Sequence, residues 1–84
     1  MYQIEYSKRS IRTLRRMPLN MAMLIRSRIE AVAQDPFGAQ GVKKLVGEDG
    51  YRLRVGDGRV LYFLDGQRLR VLVTEIGPRG GIYQ

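Results

Sequence analysis

The feature that most constrains the fold is the stretch YRLRVGDGRVLYFLDGQRLRVLVTEI, which runs from Tyr51 to Ile76. Its three apolar runs are rich in β-branched and aromatic residues, and turn signals separate them at GDG and at DG. An Asp-Gly pair favours a tight two-residue hairpin turn, because both central residues of that turn need positive φ. The stretch therefore predicts a three-strand antiparallel meander with strands at Tyr51–Val55, Arg59–Leu64 and Gln67–Ile76.

Alternation along these strands predicts a sheet with one apolar face and one face rich in arginine, since successive side chains on a strand point to opposite faces. A two-residue turn at Asp65-Gly66 would set Tyr62 opposite Leu69 and Val60 opposite Val71. The apolar face would then carry Tyr51, Leu53, Val55, Val60, Tyr62, Leu64, Leu69, Val71 and Val73. The other face, here named the arginine face, would carry Arg52, Arg54, Arg59, Leu61, Phe63, Arg68, Arg70 and Leu72.

The loop between the first two strands of the meander decides which face carries Arg59. A three-residue loop with Val55 opposite Arg59 would move Arg59 to the apolar face. A four-residue loop, or a bulge at the glycines, would place it beside Arg52 and Arg54, and glycine is common at such bulges. We expect the second arrangement, with the three arginines on one side of the sheet.

The first half of the chain predicts a strand and two helices. Tyr2, Ile4 and Tyr6 alternate with polar residues as in a short, half-buried strand. Ser7 is a suitable N-cap for a basic helix that ends at about Arg16, because the residue before Pro18 disfavours helical geometry. A second helix, from about Leu19 to Gln34, has an apolar stripe formed by Met21, Leu24, Ile25, Ile29, Val32 and Ala33.

These elements predict one small α+β domain over residues 1–84: an N-terminal strand, an antiparallel two-helix hairpin and the three-strand antiparallel meander. We expect an antiparallel sheet of about four strands, with the helical hairpin on its apolar face. Between the second helix and the meander, the stretch from Phe37 to Gly50 has four glycines and reads as irregular.

Charge and composition indicate which binding partners and which cellular compartment to expect for the protein. The net charge is +7, and arginine supplies twelve of the fifteen cations. Because the planar arginine fork suits phosphate and carboxylate, nucleic acid or an acidic protein segment is the expected partner. The chain has no cysteine, its amino terminus lacks a signal-peptide pattern, and its longest uncharged run, Met17–Ile25, is too short to span a bilayer. We expect a soluble cytoplasmic protein with no membrane association.

The residue types exclude most conventional enzyme chemistry. The chain has no histidine, and its eight carboxylates form no cluster and no metal-ligand spacing, so we expect neither a metal ion nor a small-molecule cofactor. No nucleophile elbow and no phosphate-binding glycine loop is present. What remains is the arginine face, with Arg79 and Tyr83 from the turn-rich tail. Converging guanidinium groups can bind a phosphate and stabilise a phosphorane, although the same arginines could be only the solvated side of an amphipathic sheet.

Nearly the whole chain resembles the RelE/ParE superfamily of toxins from bacterial and archaeal toxin–antitoxin modules. The stretch KLVGEDGYRLRVGDGRVLYFLDGQRLRVLVTEIGPRGGIY is similar to the family's signature half, and its YRLRVGDGRVLY segment is quite specific. YSKRSIRTLRRMP and the later AQDPFG resemble the family's strand and helical hairpin. The resemblance implies a RelE-like fold and, in the RelE branch, a ribosome-dependent endoribonuclease that cuts messenger RNA without a metal ion.

In that branch the ribose 2′-hydroxyl attacks the adjacent phosphate and leaves a cyclic phosphate. The resemblance implies that Arg59 clamps the phosphate, that Arg79 stabilises charge or donates a proton, and that Tyr83 stacks on a base or transfers a proton. It also implies a site role for the basic residues that follow the glycine loop, Arg52 and Arg54. Of these, we expect Arg54 to act in catalysis and Arg52 to bind substrate with the nearby cations Lys43 and Lys44.

Three matters stay open in the sequence. The general base is unassigned, because some RelE proteins have lysines where this chain has Arg52 and Arg54, and many relatives have histidine where it has Pro78; Glu48 is a candidate. The ParE branch inhibits DNA gyrase with the same fold, and a non-catalytic nucleic-acid-binding module is a third possibility. In either toxin branch, an acidic and partly disordered antitoxin is the expected partner.

Overall fold

Two helices and five strands form the regular structure of residues 1–78, the part of the chain that the computed structural model describes. In chain order they are β1 (Gln3–Tyr6), α1 (Lys8–Arg16), α2 (Leu19–Gln34), β2 (Val42–Lys44), β3 (Tyr51–Val55), β4 (Gly58–Asp65) and β5 (Arg70–Pro78). The predicted α+β class and both helices are confirmed. Neither helix has the length and apolar character needed to cross a membrane.

The sheet is larger than predicted and has mixed strand directions. Its order is β1-β5-β4-β3-β2; β1 is parallel to β5, and the other neighbours are antiparallel. The prediction of an antiparallel sheet of about four strands was therefore wrong. The antiparallel meander of β3, β4 and β5 is present, but it forms only part of a five-strand mixed sheet. We did not predict β2, because this strand has only three residues, two of them lysine, and lies within the glycine-rich stretch that we interpreted as irregular.

The helices begin and end where local sequence signals place them. The Oγ of Ser7 accepts a hydrogen bond from the Ser10 backbone N–H at 3.0 Å, which caps α1. On α2 the buried residues are Ala22, Ile25, Ile29, Val32 and Ala33. Leu24, predicted on this stripe, is 45% exposed, because it lies about 100° around the helix from Ile25 and outside the arc that faces the sheet.

The hydrophobic core lies between the helices and the apolar face of the sheet. Leu14 of α1 and the buried residues of α2 pack with Leu53, Val55, Val60, Tyr62, Val71, Val73 and Ile76. The predicted burial of Val60, Tyr62 and Val71 is confirmed, since each is at most 1% exposed. Ile76 reaches this face because the β4–β5 ladder shifts register between Leu61 and Tyr62, so that Tyr62 pairs with Val73 while Leu61 pairs with Glu75.

The β4–β5 loop differs from the predicted two-residue turn. Asp65 pairs with Arg70, and its Oδ1 accepts hydrogen bonds from the backbone N–H groups of Gln67 and Arg68 at 3.2 and 3.1 Å. A four-residue loop results, and Leu69 closes it with a φ of +53°. The predicted places of Arg68 on the arginine face and of Leu69 on the apolar face were therefore wrong. Because the pairing shifted by an even number of residues, the remaining strand residues keep their predicted faces.

Tyr62 places a hydroxyl group inside this core. Its ring stacks on Tyr51 with centroids 5.5 Å apart, and the side chain is 1% exposed. The hydroxyl has no hydrogen-bond partner among residues 1–78. Burial, with a smaller contribution from Tyr51, raises the pKa of Tyr62 to about 12. The folded protein thus favours the neutral phenol more strongly than the unfolded chain does.

Replacing Tyr62 by phenylalanine is expected to leave stability at pH 7 unchanged or to raise it by about 1 kcal/mol, since a buried hydroxyl without a partner is costly. Because its pKa is raised, the neutral Tyr62 phenol contributes fully to the free energy of unfolding below the unfolded-state pKa of 10.0. This contribution is lost as pH rises towards about 12. The variant should therefore lose less stability between pH 9 and 11. Urea unfolding at several pH values measures both effects, and clear destabilisation at pH 7 would contradict an unpartnered hydroxyl.

Candidate functional site

The β3–β4 hairpin places three arginines on one face of the sheet. Its two-residue loop begins at Gly56, whose φ of +56° suits glycine at the first position of such a turn. Val55 pairs with Gly58, so Arg54 lies directly opposite Arg59 on the neighbouring strand. Arg52 is two residues before Arg54 and shares its face, so the predicted one-sided placement of the three arginines is confirmed. The expected four-residue loop or glycine bulge was wrong, because a two-residue loop in regular register produces the same placement.

Arg59 is the buried member of this group. Only 7% of it is exposed, whereas Arg54 is exposed. Its Nη1 donates a hydrogen bond to the Gly58 carbonyl at 3.1 Å, and its Nε is buried without a partner among the described residues. Arg59 sits between Arg54 on β3 and Gly77 on β5. A guanidinium shielded from water attracts an anion more strongly than an exposed one, because the local dielectric is lower.

The carboxylates on the arginine face are engaged elsewhere. Glu5 and Glu75 point to this face according to the strand register, but Arg70 Nη1 lies 2.6 Å from Glu5 Oε1 and Arg9 Nη1 lies 2.7 Å from Glu75 Oε1. Neither Arg54 nor Arg59 has an ion pair within residues 1–78. The pair therefore keeps its positive charge available to an anion.

A cavity between β2, the β2–β3 loop and Arg52 of β3 gathers the other predicted substrate-binding residues. Its volume is about 460 Å³, and its lining consists of Lys43, Lys44, Leu45, Val46, Glu48 and Arg52. Lys43 pairs with Arg52 and shares the arginine face, whereas Lys44 points to the other side, with its Nζ 5.2 Å from the centre of the Tyr51 ring. The three predicted cations and Glu48, the candidate base, thus line one cavity, but only Lys43 and Arg52 share the arginine face.

Two predicted site residues, Arg79 and Tyr83, lie outside the described residues. The last described pair of β5 joins Pro78 to Gly58, next to Arg59. Within residues 1–78 no three carboxylate, histidine or cysteine side chains are grouped closely enough to hold a metal ion. Sequence reasoning missed two features of the face, the burial of Arg59 and the exposure of Phe63. The second had a signal, since alternation already placed a lone aromatic residue among arginines.

Comparison with solved structures shows which known proteins share the fold of this chain. No protein-family model matches the chain, and no match to a curated protein sequence was found. The RelBE2 toxin–antitoxin complex of Mycobacterium tuberculosis contains a similar chain, with a TM-score of 0.80, 20% identity and coverage of 93% of this chain and 98% of that one. A chain of the archaeal RelE–RelB complex of Pyrococcus horikoshii gives a TM-score of 0.78, 21% identity and coverage of 95% and 97%.

The YoeB/ParE toxin of Agrobacterium tumefaciens is also similar, with a TM-score of 0.79, 19% identity and coverage of 92% of this chain and 98% of that one. These matches cover nearly complete chains on both sides. The protein therefore has the fold of the RelE/ParE superfamily of toxins, as the resemblance in its sequence implied. At this level of identity, the likeness shows the fold alone.

Proposed function

We propose that the protein is the toxin of a type II toxin–antitoxin module and that it acts as a ribosome-dependent messenger RNA endoribonuclease. The observation that carries the proposal is the pairing of exposed Arg54 with buried Arg59 on the sheet face opposite the helices, in a fold shared with chains solved in toxin–antitoxin complexes. Two adjacent guanidinium groups of unequal exposure suit a phosphate that enters from solvent and gains charge as it reacts.

In the proposed reaction the 2′-hydroxyl oxygen attacks the adjacent phosphorus and loses its proton to a base. The bond from phosphorus to the 5′-oxygen then breaks, that oxygen takes up a proton, and a 2′,3′-cyclic phosphate remains. Arg59, together with Arg54, stabilises the extra negative charge of the phosphorane. Arg79 adds charge stabilisation or the proton for the leaving oxygen, and Tyr83 stacks on a base or transfers a proton.

The cavity cations fit a supporting role in this scheme. Lys43, Lys44 and Arg52 would hold the phosphates of neighbouring nucleotides, because cations along a groove follow a nucleic-acid backbone without reading its sequence. Arginine is a poor general base because it stays protonated, so Glu48 at the cavity edge is the candidate for proton removal.

A second candidate function is inhibition of DNA gyrase without RNA cleavage, which the resemblance to the ParE branch implies; a YoeB/ParE toxin is among the similar structures. A non-catalytic RNA-binding module is the third. Purified protein added to ribosomes programmed with messenger RNA separates the three, with a DNA supercoiling assay run in parallel. Cleavage supports the nuclease, inhibited supercoiling without cleavage supports the gyrase inhibitor, and salt-sensitive RNA binding without either supports the binding module.

The proposed partner is an acidic antitoxin that covers the arginine face. Chains of similar fold were solved in complex with RelB antitoxins, and in this chain the face is cationic and carries the exposed residue Arg54. We expect the antitoxin to silence the toxin and to protect Arg54 from phenylglyoxal, an arginine-selective reagent. Mass spectrometry of the free and bound protein measures the protection, with Arg68 in the β4–β5 loop as the internal control. Full neutralisation with Arg54 labelled at its free rate would contradict masking.

A further inference from the structure

Phe63 stands out on the arginine face as a large apolar side chain that is 40% exposed. It lies on β4, one residue beyond the end of the β3–β4 ladder, with Leu72 directly opposite it on β5. Of the β4 side chains that point the other way, Val60 and Tyr62 are almost completely buried in the core and Leu64 is half-buried. Pairing with β5 therefore holds Phe63 in the sheet, and its ring lies on the side away from the core beneath the helices.

The position next to Phe63 on the β3 side has no side chain. The β3–β4 register pairs Tyr51 with Tyr62, which brings Gly50 beside Phe63. A Cβ atom built on Gly50 would lie 3.4 Å from the Phe63 Cζ and 3.4 Å from the Leu45 Cδ1, so both side chains lie close to this glycine. The Leu45 backbone N–H donates a hydrogen bond to the Gly50 carbonyl at 3.0 Å, which closes the loop around it. Leu45, Gly50 and Phe63 thus form a small apolar platform.

Cations border this platform. Arg52 pairs with Leu61, so Phe63 is its diagonal neighbour, about 7–8 Å away between backbone positions. Lys43 follows on the far side of Arg52, and Leu45 also lines the cavity that contains both cations. An aromatic ring next to a row of cations is the combination that single-stranded nucleic acids require, because their bases stack on rings and their phosphates bind cations.

We propose that Phe63 is a base-stacking residue for single-stranded RNA, with the adjoining phosphates bound by Lys43 and Arg52. The inference rests on the proposed nuclease function and adds a substrate subsite to it. Phe63 is four residues along β4 from Arg59, about 13 Å away at the rise of a strand. The stacked base therefore belongs to a nucleotide away from the cleaved bond, where stacking strengthens binding without acting on the reacting phosphate.

The chain contains no tryptophan and only two phenylalanines, which permits a direct test. Phe63→Trp introduces a single tryptophan at the platform, and its emission can be excited selectively over that of the five tyrosines. Phe37→Trp is the matched control, since Phe37 is 80% exposed in the α2–β2 connection. Titration with a short unstructured RNA, without ribosomes, should quench the first variant in a saturable manner and leave the second nearly unchanged. Equal quenching of both variants, or no quenching of the first, would overturn the stacking role.

Phe63→Leu supplies a second, functional measurement. It keeps an apolar side chain but removes the ring, so RNA binding measured by fluorescence anisotropy should weaken by roughly tenfold to a hundredfold. The salt dependence of binding should stay the same, because every cation remains, whereas Lys43→Gln should make it shallower. Unchanged affinity in a folded Phe63→Leu protein would refute the inference.

The two proposals fail in different ways. On ribosomes, Phe63→Leu should raise the toxin concentration needed for half-maximal cleavage while leaving the maximal single-turnover rate nearly unchanged. Cleavage by wild type with no effect of either Phe63 substitution would leave the nuclease standing and remove the stacking site. Quenching of Phe63→Trp by RNA without any cleavage on ribosomes would support the stacking site and refute the nuclease.

Discussion

Replacing Arg59 by alanine is expected to lower the single-turnover rate of messenger RNA cleavage on ribosomes by a factor on the order of 10²–10³. The loss corresponds to about 2.7–4 kcal/mol of transition-state stabilisation. The physical reason is that Arg59 is 7% exposed and carries a buried Nε without a partner in the described chain, so its contact strengthens as the phosphorane gains charge. Ribosome binding should change much less than the rate, because the ground-state phosphate carries less charge.

Arg68→Ala is the matched control for this substitution. It removes the same charge from an exposed loop, where the residue takes no part in the arginine face, and should weaken only the general, salt-dependent attraction to RNA. Arg59→Lys retains the charge without the planar fork and should fall between wild type and alanine. Rates measured with saturating toxin separate chemistry from binding. Equal losses for Arg59→Ala and Arg68→Ala would contradict a specific site at Arg59.

Arg79→Ala is expected to cause a loss of similar size, again on the order of 10²–10³ in the single-turnover rate. The reason is its proposed role in stabilising the phosphorane or in protonating the leaving oxygen. Tyr83→Phe tests the other predicted site residue of the tail, since it keeps the ring and removes the hydroxyl. A large rate loss for Tyr83→Phe would assign proton transfer to Tyr83, whereas an unchanged rate would assign stacking. Full activity of Arg79→Ala would remove the tail arginine from the proposed mechanism.

The parts of the fold that could be predicted from sequence are those with strong local signals. Ser7 caps α1, and the sequence Met17-Pro18 separates α1 from α2 at the predicted place. Alternation predicted the buried side of β3 and β4 correctly, because a one-residue shift of either strand would have turned its apolar side chains to solvent. The predicted two-residue turn between β4 and β5 was wrong, because Asp65 stabilises a longer loop through its side chain instead of occupying a central turn position.

The strand pairings beyond the meander had no comparable local signal. β1 lies parallel to β5, a contact between residues more than sixty positions apart, and β2 is a three-residue strand at the sheet edge. For the site, alternation placed Arg52, Arg54 and Arg59 on one face, but it carries no information about depth. Arg59 has Arg54 on β3 and Gly77 on β5 as its neighbours across three strands. A pattern within one strand does not contain that arrangement.

The measurement that tests the central claim most directly compares two messenger RNAs on programmed ribosomes. One is all ribose, and the other has a single 2′-deoxynucleotide at the position that the protein cleaves. We predict that the first is cut to give a fragment ending in a 2′,3′-cyclic phosphate and that the second stays intact at that position, because the attacking hydroxyl is missing. Equal cleavage of both messages, or cleavage of neither together with inhibited DNA supercoiling, would contradict the proposed ribonuclease.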